Sequence, residues 1–258
     1  MHVSRPLGKR LGRSFRIARD LALHGLGLRR PAPKRFVILC RGRSGSTALV
    51  SILGAVPGIH CDGEILHDRV PLPERYVEAR SAAKGTAAYG FKVLAYQIQR
   101  VQHLADRDGF IRRLHARGFE VIHLSRANVF EHAVSGLRAR RFGFHRRRGA
   151  VSSSERFEID FETLVARMQE IEQSRLDEIR LLEGVPHLSL VYEEDLRDEA
   201  RHQATLDRVC GALGLESARA HSAFHKVSPN RLRDSISNYD EIERRLAATP
   251  WSRFLEGP

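Results

Sequence analysis

Apolar positions along the 258-residue chain gather into short runs separated by longer mixed segments. RFVILC (35–40), YGFKVL (89–94), EVIHLS (120–125) and HLSLVY (187–192) are nearly uninterrupted, which is the pattern of strands covered on both faces. ALVSILGAV (48–56) and segments near 108–117, 128–140, 156–183 and 199–213 read instead as helices. Parallel strands need long crossover connections, and helices supply them. The alternation therefore predicts an α/β fold, a P-loop-like parallel sheet flanked by helices, forming a single domain over 35–258 behind a basic N-terminal arm over 1–34.

The arm places Leu11, Phe15, Ala18 and Ala22 at helical spacing with arginines around them. It predicts a loosely docked, solvated segment or one that touches an anionic membrane peripherally. Charge supports the division. Residues 1–43 hold twelve Lys/Arg and one acid, whereas the rest of the chain holds 31 bases and 30 acids. A body so nearly neutral argues against a nucleic-acid-binding domain, so no nucleic acid is expected as a partner. Six arginines and two phenylalanines in LRARRFGFHRRRG (137–149) predict a mobile basic loop able to meet an anionic acceptor. Cys40, Cys61 and Cys210 are widely spaced and odd in number, so neither a disulfide framework nor a zinc ribbon is indicated. Arg13, Arg16, Arg19 and Asp20 interrupt any signal-peptide core, and no apolar run reaches membrane-spanning length, which predicts a cytoplasmic protein.

Chemistry concentrates at two strand ends. The first is Arg41-Gly-Arg-Ser-Gly-Ser-Thr47, between an apolar strand and an apolar helix. Glycines that expose backbone N–H groups at a helix N-terminus, joined by hydroxyls and an arginine, make an anion site. An ATP or GTP loop of the G-x-x-x-x-G-K-[ST] type would need Gly at Cys40 and Lys at Ser46. The strand at 120–125 also ends in Ser125 and Arg126 rather than in the acid that organises Mg²⁺. The second element is Arg126 with Ser135, where the open-sheet rule places ligand groups, and Lys92 ends its strand toward the same edge.

With these residues the chain resembles the PAPS-dependent sulfotransferases, which use 3′-phosphoadenosine 5′-phosphosulfate as donor, and in particular the bacterial carbohydrate group that includes nodulation-factor and trehalose sulfotransferases. ILCRGRSGST (38–47), GEIL (63–66), GFKVL (90–94) and IHLSRANVFEHAVS (122–135) carry the match, extended by LVYEEDL (190–196) and HKVSPNRLRDSISNYDEI (225–242). The resemblance implies that Arg43, Ser44, Gly45, Ser46 and Thr47 surround the 5′-phosphosulfate. It implies that Arg126 and Ser135 hold the 3′-phosphate, that Tyr192 contacts adenine, and that Lys226 or Arg231 closes over the 3′-phosphate. Arg43 stands where many members have lysine, which keeps the charge but exchanges a point donor for a planar fork.

A hydroxyl that attacks sulfur must lose its proton, and a carboxylate in reach can take it. Glu64, seventeen residues past the loop, stands where the carbohydrate branch often carries its glutamate; His60, Asp62 and His67 are its rivals by proximity. The expectation is in-line sulfuryl transfer from PAPS to a hydroxyl of a carbohydrate or glycolipid, leaving PAP. Glu64 serves as base, Lys92 and Arg43 stabilise charge, and no metal is needed. A divergent P-loop kinase or NTPase and a non-catalytic basic nucleic-acid- or membrane-binding protein are the alternatives.

Overall fold

The computed structural model describes residues 7–142, 155–221 and 232–255, with residues 7–11 traced as backbone. The four apolar runs are strands β1 (Lys34–Cys40), β3 (Ala88–Leu94), β4 (Phe119–Ser125) and β5 (Leu188–Val191), and a fifth strand, β2 (Ile59–Glu64), joins them. All neighbours pair in parallel, in the order β2-β3-β1-β4-β5. The expected α/β architecture is therefore present.

Alternating side chains of the central strand β1 feed two cores. Val37 and Leu39 meet Phe91, Val93 and Val121 beneath α3 (Pro73–Ala82) and α4 (Phe110–Ala116). Phe36, Ile38 and Cys40 meet Ile122 and Leu124 beneath α2 (Ser46–Gly54) and α7 (His202–Leu213). A third cluster joins α5 (Val129–Phe142), α6 (Phe161–Leu182) and α8 (Tyr239–Ala247), and takes up Trp251 and Phe254. Gly90 of β3 is required by this packing, because a Cβ there would lie 2.1 Å from the Phe36 ring.

Strand β2 escapes the apolar pattern because it is an edge strand and its polar side chains are engaged in ion pairs. Asp62 accepts from Arg80 Nη2 at 2.8 Å, from the Tyr89 hydroxyl at 3.0 Å and from His60 Nε2 at 2.9 Å. Helix α3, equally unmarked by an apolar stripe, begins at a proline, which suits the first helical turn.

The N-terminal segment departs from expectation. It forms α1 (Leu7–Gly25), which packs on α3 through buried ion pairs and is thus more firmly docked than the loosely held segment expected. The stripe read from the sequence is also the wrong face: Phe15 is 71% exposed, and Ala18 and Ala22 are exposed as well. The docked face runs through Arg13, Ile17, Asp20, Leu21 and His24, at helical spacing. Its anchor is Asp20, 2% exposed, paired with Arg19 at 3.0 Å and with Arg80 of α3 at 3.4 Å. Arg13 adds an ion pair to Asp68 at 3.3 Å. Polar residues alternate with Ile17 and Leu21 on the buried face, so an apolar stripe alone could not reveal it.

The basic stretch 137–149 is a second correction. It continues α5 to Phe142, and Arg138 is buried with Nη1 donating to the Glu155 carbonyl at 3.1 Å. Residues 143–149 lie outside the described residues.

Candidate active site

β1 delivers the chain at its buried C-terminal end into the turn Arg41–Gly45, and α2 begins at Ser46. Two residues of the turn are left-handed, Gly45 at φ 84° and Arg43 at φ 71°. Such a conformation suits glycine but strains arginine, by about 1–3 kcal/mol, and strain of this kind gathers at ligand sites. Gly45 lies against the Tyr192 ring, where a Cβ would come within 2.5 Å of the ring. Among the described residues, none of the backbone N–H groups of residues 43–47 donates to a protein acceptor. Free N–H groups in such a turn, leading into the N-terminus of a helix, are suited to an anion. Ser44 contributes through its backbone, since its hydroxyl is buried and donates to the Arg41 carbonyl at 2.8 Å.

Lys92 of β3 links this turn to Glu64. Its Nζ lies 3.4 Å from Thr47 Oγ1, 3.5 Å from Ser46 Oγ and 3.1 Å from Glu64 Oε1. The ladder explains the meeting: a β-bulge between Asp62 and Glu64 shifts the register so that Glu64 stands opposite Lys92. Bulges re-aim side chains in this way beside active sites. Gln97, fully buried, donates from Nε2 to Glu64 Oε2 at 2.8 Å and accepts from the Leu94 N–H at 3.1 Å through its own Oε1. Gln97 went unnoticed in the sequence. Its one signal is a position three residues after the Lys92 strand.

The rivals of Glu64 are otherwise engaged. Burial alone would raise the Asp62 carboxyl, but the His60 hydrogen bond and the Arg80 charge outweigh it and hold the group below the usual carboxylate range. His60 is spent on Asp62. His67 donates from Nδ1 to the Glu64 carbonyl, and its Nε2 lies 3.0 Å from Asp68.

The second expected group also assembles. Arg126 stacks over the Tyr192 ring at 4.7 Å and donates to the Arg43 carbonyl at 3.3 Å. Arg43 reaches Ser135, with Nε 3.4 Å from its Oγ, so its side chain joins Arg126 and Ser135 while its backbone stays with the turn. The Arg43 residue is exposed, yet its guanidinium loses solvation to the surrounding loop. That loss first, and the Arg126 charge second, push its pKa below the ordinary arginine range. Glu131 and Glu193 partly neutralise the cluster, pairing with Arg126 at 3.0 and 3.5 Å, and Arg197 joins Glu131 at 2.5 Å. Three arginines and Arg43 among them thus face two glutamates, leaving net positive charge. Glu193 is held in place because it also accepts the Ala127 N–H just ahead of α5. Lys226 and Arg231 lie outside the described residues.

Two buried groups fix the turn from behind. Arg41 pairs with Glu178 of α6 at 3.4 Å and donates to the carbonyls of Ile171 at 3.3 Å and Arg126 at 3.5 Å. His132 donates from Nε2 to the Gly42 carbonyl at 2.6 Å. Burial, aided by the nearby arginines, pushes its pKa down to about 3 despite the opposing effect of that hydrogen bond, so it is neutral at pH 7.

No family model matches the chain, and no curated protein does. Among solved structures, a crystal structure of a sulfotransferase from Alicyclobacillus acidocaldarius is similar, at 17% sequence identity and a TM-score of 0.49, over 87% of this chain and 95% of that one.

Proposed function

We propose that the protein is a sulfotransferase that takes its sulfuryl group from PAPS and transfers it to a hydroxyl of a carbohydrate or glycolipid. The observation that carries this reading is the continuous path from Glu64 through Lys92 to Ser46 and Thr47, which brings a carboxylate, a cation and the N–H-rich turn side by side. The resemblance of ILCRGRSGST and IHLSRANVFEHAVS to the PAPS-dependent family supplies the choice of anion. The residues fit such a donor: the free N–H groups of the turn suit the 5′-phosphosulfate, Arg126 with Ser135 and Arg43 suits the 3′-phosphate, and Tyr192 offers a ring beside Gly45 for the base.

In the reaction, the acceptor hydroxyl gives its proton to Glu64 as its oxygen forms a bond to sulfur. The bond from sulfur to the 5′-phosphate oxygen breaks, and PAP leaves with that electron pair. Lys92 reaches both Glu64 and the loop hydroxyls, so it can turn from the carboxylate toward the charge that grows on the sulfonate and leaving oxygen. Gln97 then still holds Glu64 in position.

Calorimetric titration with PAP, ADP and ATP plus Mg²⁺ tests the donor. PAP is expected to bind in the micromolar range with little response to ATP, and Arg126→Ala is expected to weaken PAP by about 10–100-fold, the effect of losing hydrogen bonds to a charged group. A folded protein that ignores PAP would return the basic-surface alternative to the front.

A further inference from the structure

Glu64 faces two compartments. On one side are Lys92 and the turn 41–47. On the other is a cavity of ≈ 330 Å³ whose polar lining is Glu64, His67, Tyr76 and Arg80 of the body and Arg13, Arg16 and Asp20 of α1, Asp20 being neutralised by its pairs with Arg19, Arg29 and Arg80. Its size lies at the lower end of the range for small-molecule sites, about 300–1,000 Å³. The docking of α1 turns the N-terminal segment into a wall of this cavity.

Most of the polar groups that line the cavity are already committed. Arg13 pairs with Asp68 and donates to the Ile65 carbonyl at 3.1 Å. Arg80 bridges Asp20 and Asp62. His67 lies between the Glu64 carbonyl and Asp68. Arg16 and Tyr76 are not committed in this way: among the described residues Arg16 has no hydrogen bond or ion pair, and neither has the hydroxyl of Tyr76, although Tyr76 is only 6% exposed. A guanidinium and a phenol with no protein acceptor, beside a carboxylate already paired with Lys92, suit an anionic oxygen on the ligand.

We propose that this cavity is the acceptor subsite and that Arg16 and Tyr76 select an acceptor bearing an acidic group, a carboxylate or a phosphate, close to the hydroxyl that is sulfated. The inference rests on the reading of Glu64 as the base and names the acceptor class for that same site. It moves anion recognition from the 138–148 stretch to α1.

The test is equilibrium binding of glucose, glucuronic acid and glucose 6-phosphate to the PAP-saturated full chain, followed by ligand-observed NMR. At least one of the two acids is expected to bind about 10-fold or more tightly than glucose, the effect of a charge-assisted hydrogen bond. Arg16→Ala should abolish that preference and Arg16→Lys should keep part of it; Arg16 is exposed and has no partner among the described residues, so neither change threatens folding. A preference for glucuronic acid alone would assign a carboxylate, and for glucose 6-phosphate alone a phosphate. Equal binding of acid and neutral sugars, no binding of any of them, or a preference that survives Arg16→Ala overturns the subsite. If PAP binds normally while the preference is absent, the subsite fails by itself; a wild-type chain that does not bind PAP overturns the underlying reading instead.

Discussion

The turn 41–47 hangs from β1, a central strand whose residues Phe36 to Cys40 are fully buried, and the groups it would offer an anion are mostly backbone. Glu64 stands on β2, an edge strand, where a backbone bulge turns it toward Lys92 and two side chains from elsewhere in the chain hold it, Lys92 across the ladder and Gln97 beyond the next strand. A backbone site inherits its geometry from the sheet and is hard to disturb except through glycines and packing. A side-chain site depends on several long-range contacts and can lose alignment while the fold survives. Damage to the turn should therefore appear in donor affinity and stability, and damage to the β2 edge in turnover.

The largest effect expected from this contrast is at Glu64. Glu64→Gln should lower turnover by about 10²–10⁴ while PAP affinity, set by the other half, holds. Unchanged turnover in a steady-state sulfation assay would remove Glu64 as the base. Gly45→Ala attacks the turn through its φ of 84° and through the Tyr192 ring, and should cost roughly 2–4 kcal/mol of stability together with PAP affinity. Chemical denaturation reads the first and calorimetry the second; a variant as stable as wild type would show that Tyr192 yields readily.

A pH experiment sharpens the same half. The folded pKa of His132 is depressed to about 3, while an unfolded histidine titrates near pH 6.5. The unfolded chain therefore takes up a proton first as pH falls, so the stability held above about pH 6.5 is lost on the way down toward pH 3. The loss between pH 7 and 5 should be about 2 kcal/mol. Asp62, held below the usual carboxylate range, contributes its loss at lower pH and leaves this window largely to histidines. Urea midpoints at the two pH values should converge in His132→Asn, and an undiminished difference would assign it to other groups. The smallest effect belongs to the edge: Gln97→Leu should slow turnover by about 10-fold and leave PAP affinity alone, because it frees Glu64 without touching the turn. If its pH–rate profile matched that of wild type and kcat did not fall, Gln97 would be a structural residue of the core.

The apolar runs of β1, β3, β4 and β5 and the glycines and hydroxyls of 41–47 were legible in the chain itself, whereas the contact that Ser135 makes, with Arg43 and not with Arg126, was not. Hydrophobic burial and left-handed turns demand particular residue types at fixed local spacing, and local spacing is what a sequence displays. The face of α1, the strand β2, the bulge that brings Glu64 to Lys92, and the support from Gln97 were decided by the tertiary structure. Each depends on polar groups that satisfy one another across intervals such as 18 residues from Asp62 to Arg80, 33 from Glu64 to Gln97 and 60 from Asp20 to Arg80. A buried carboxylate such as Asp20 reads as a surface charge until the fold shows the arginines that hold it, since burial of a charge is tolerated only with its partners in place.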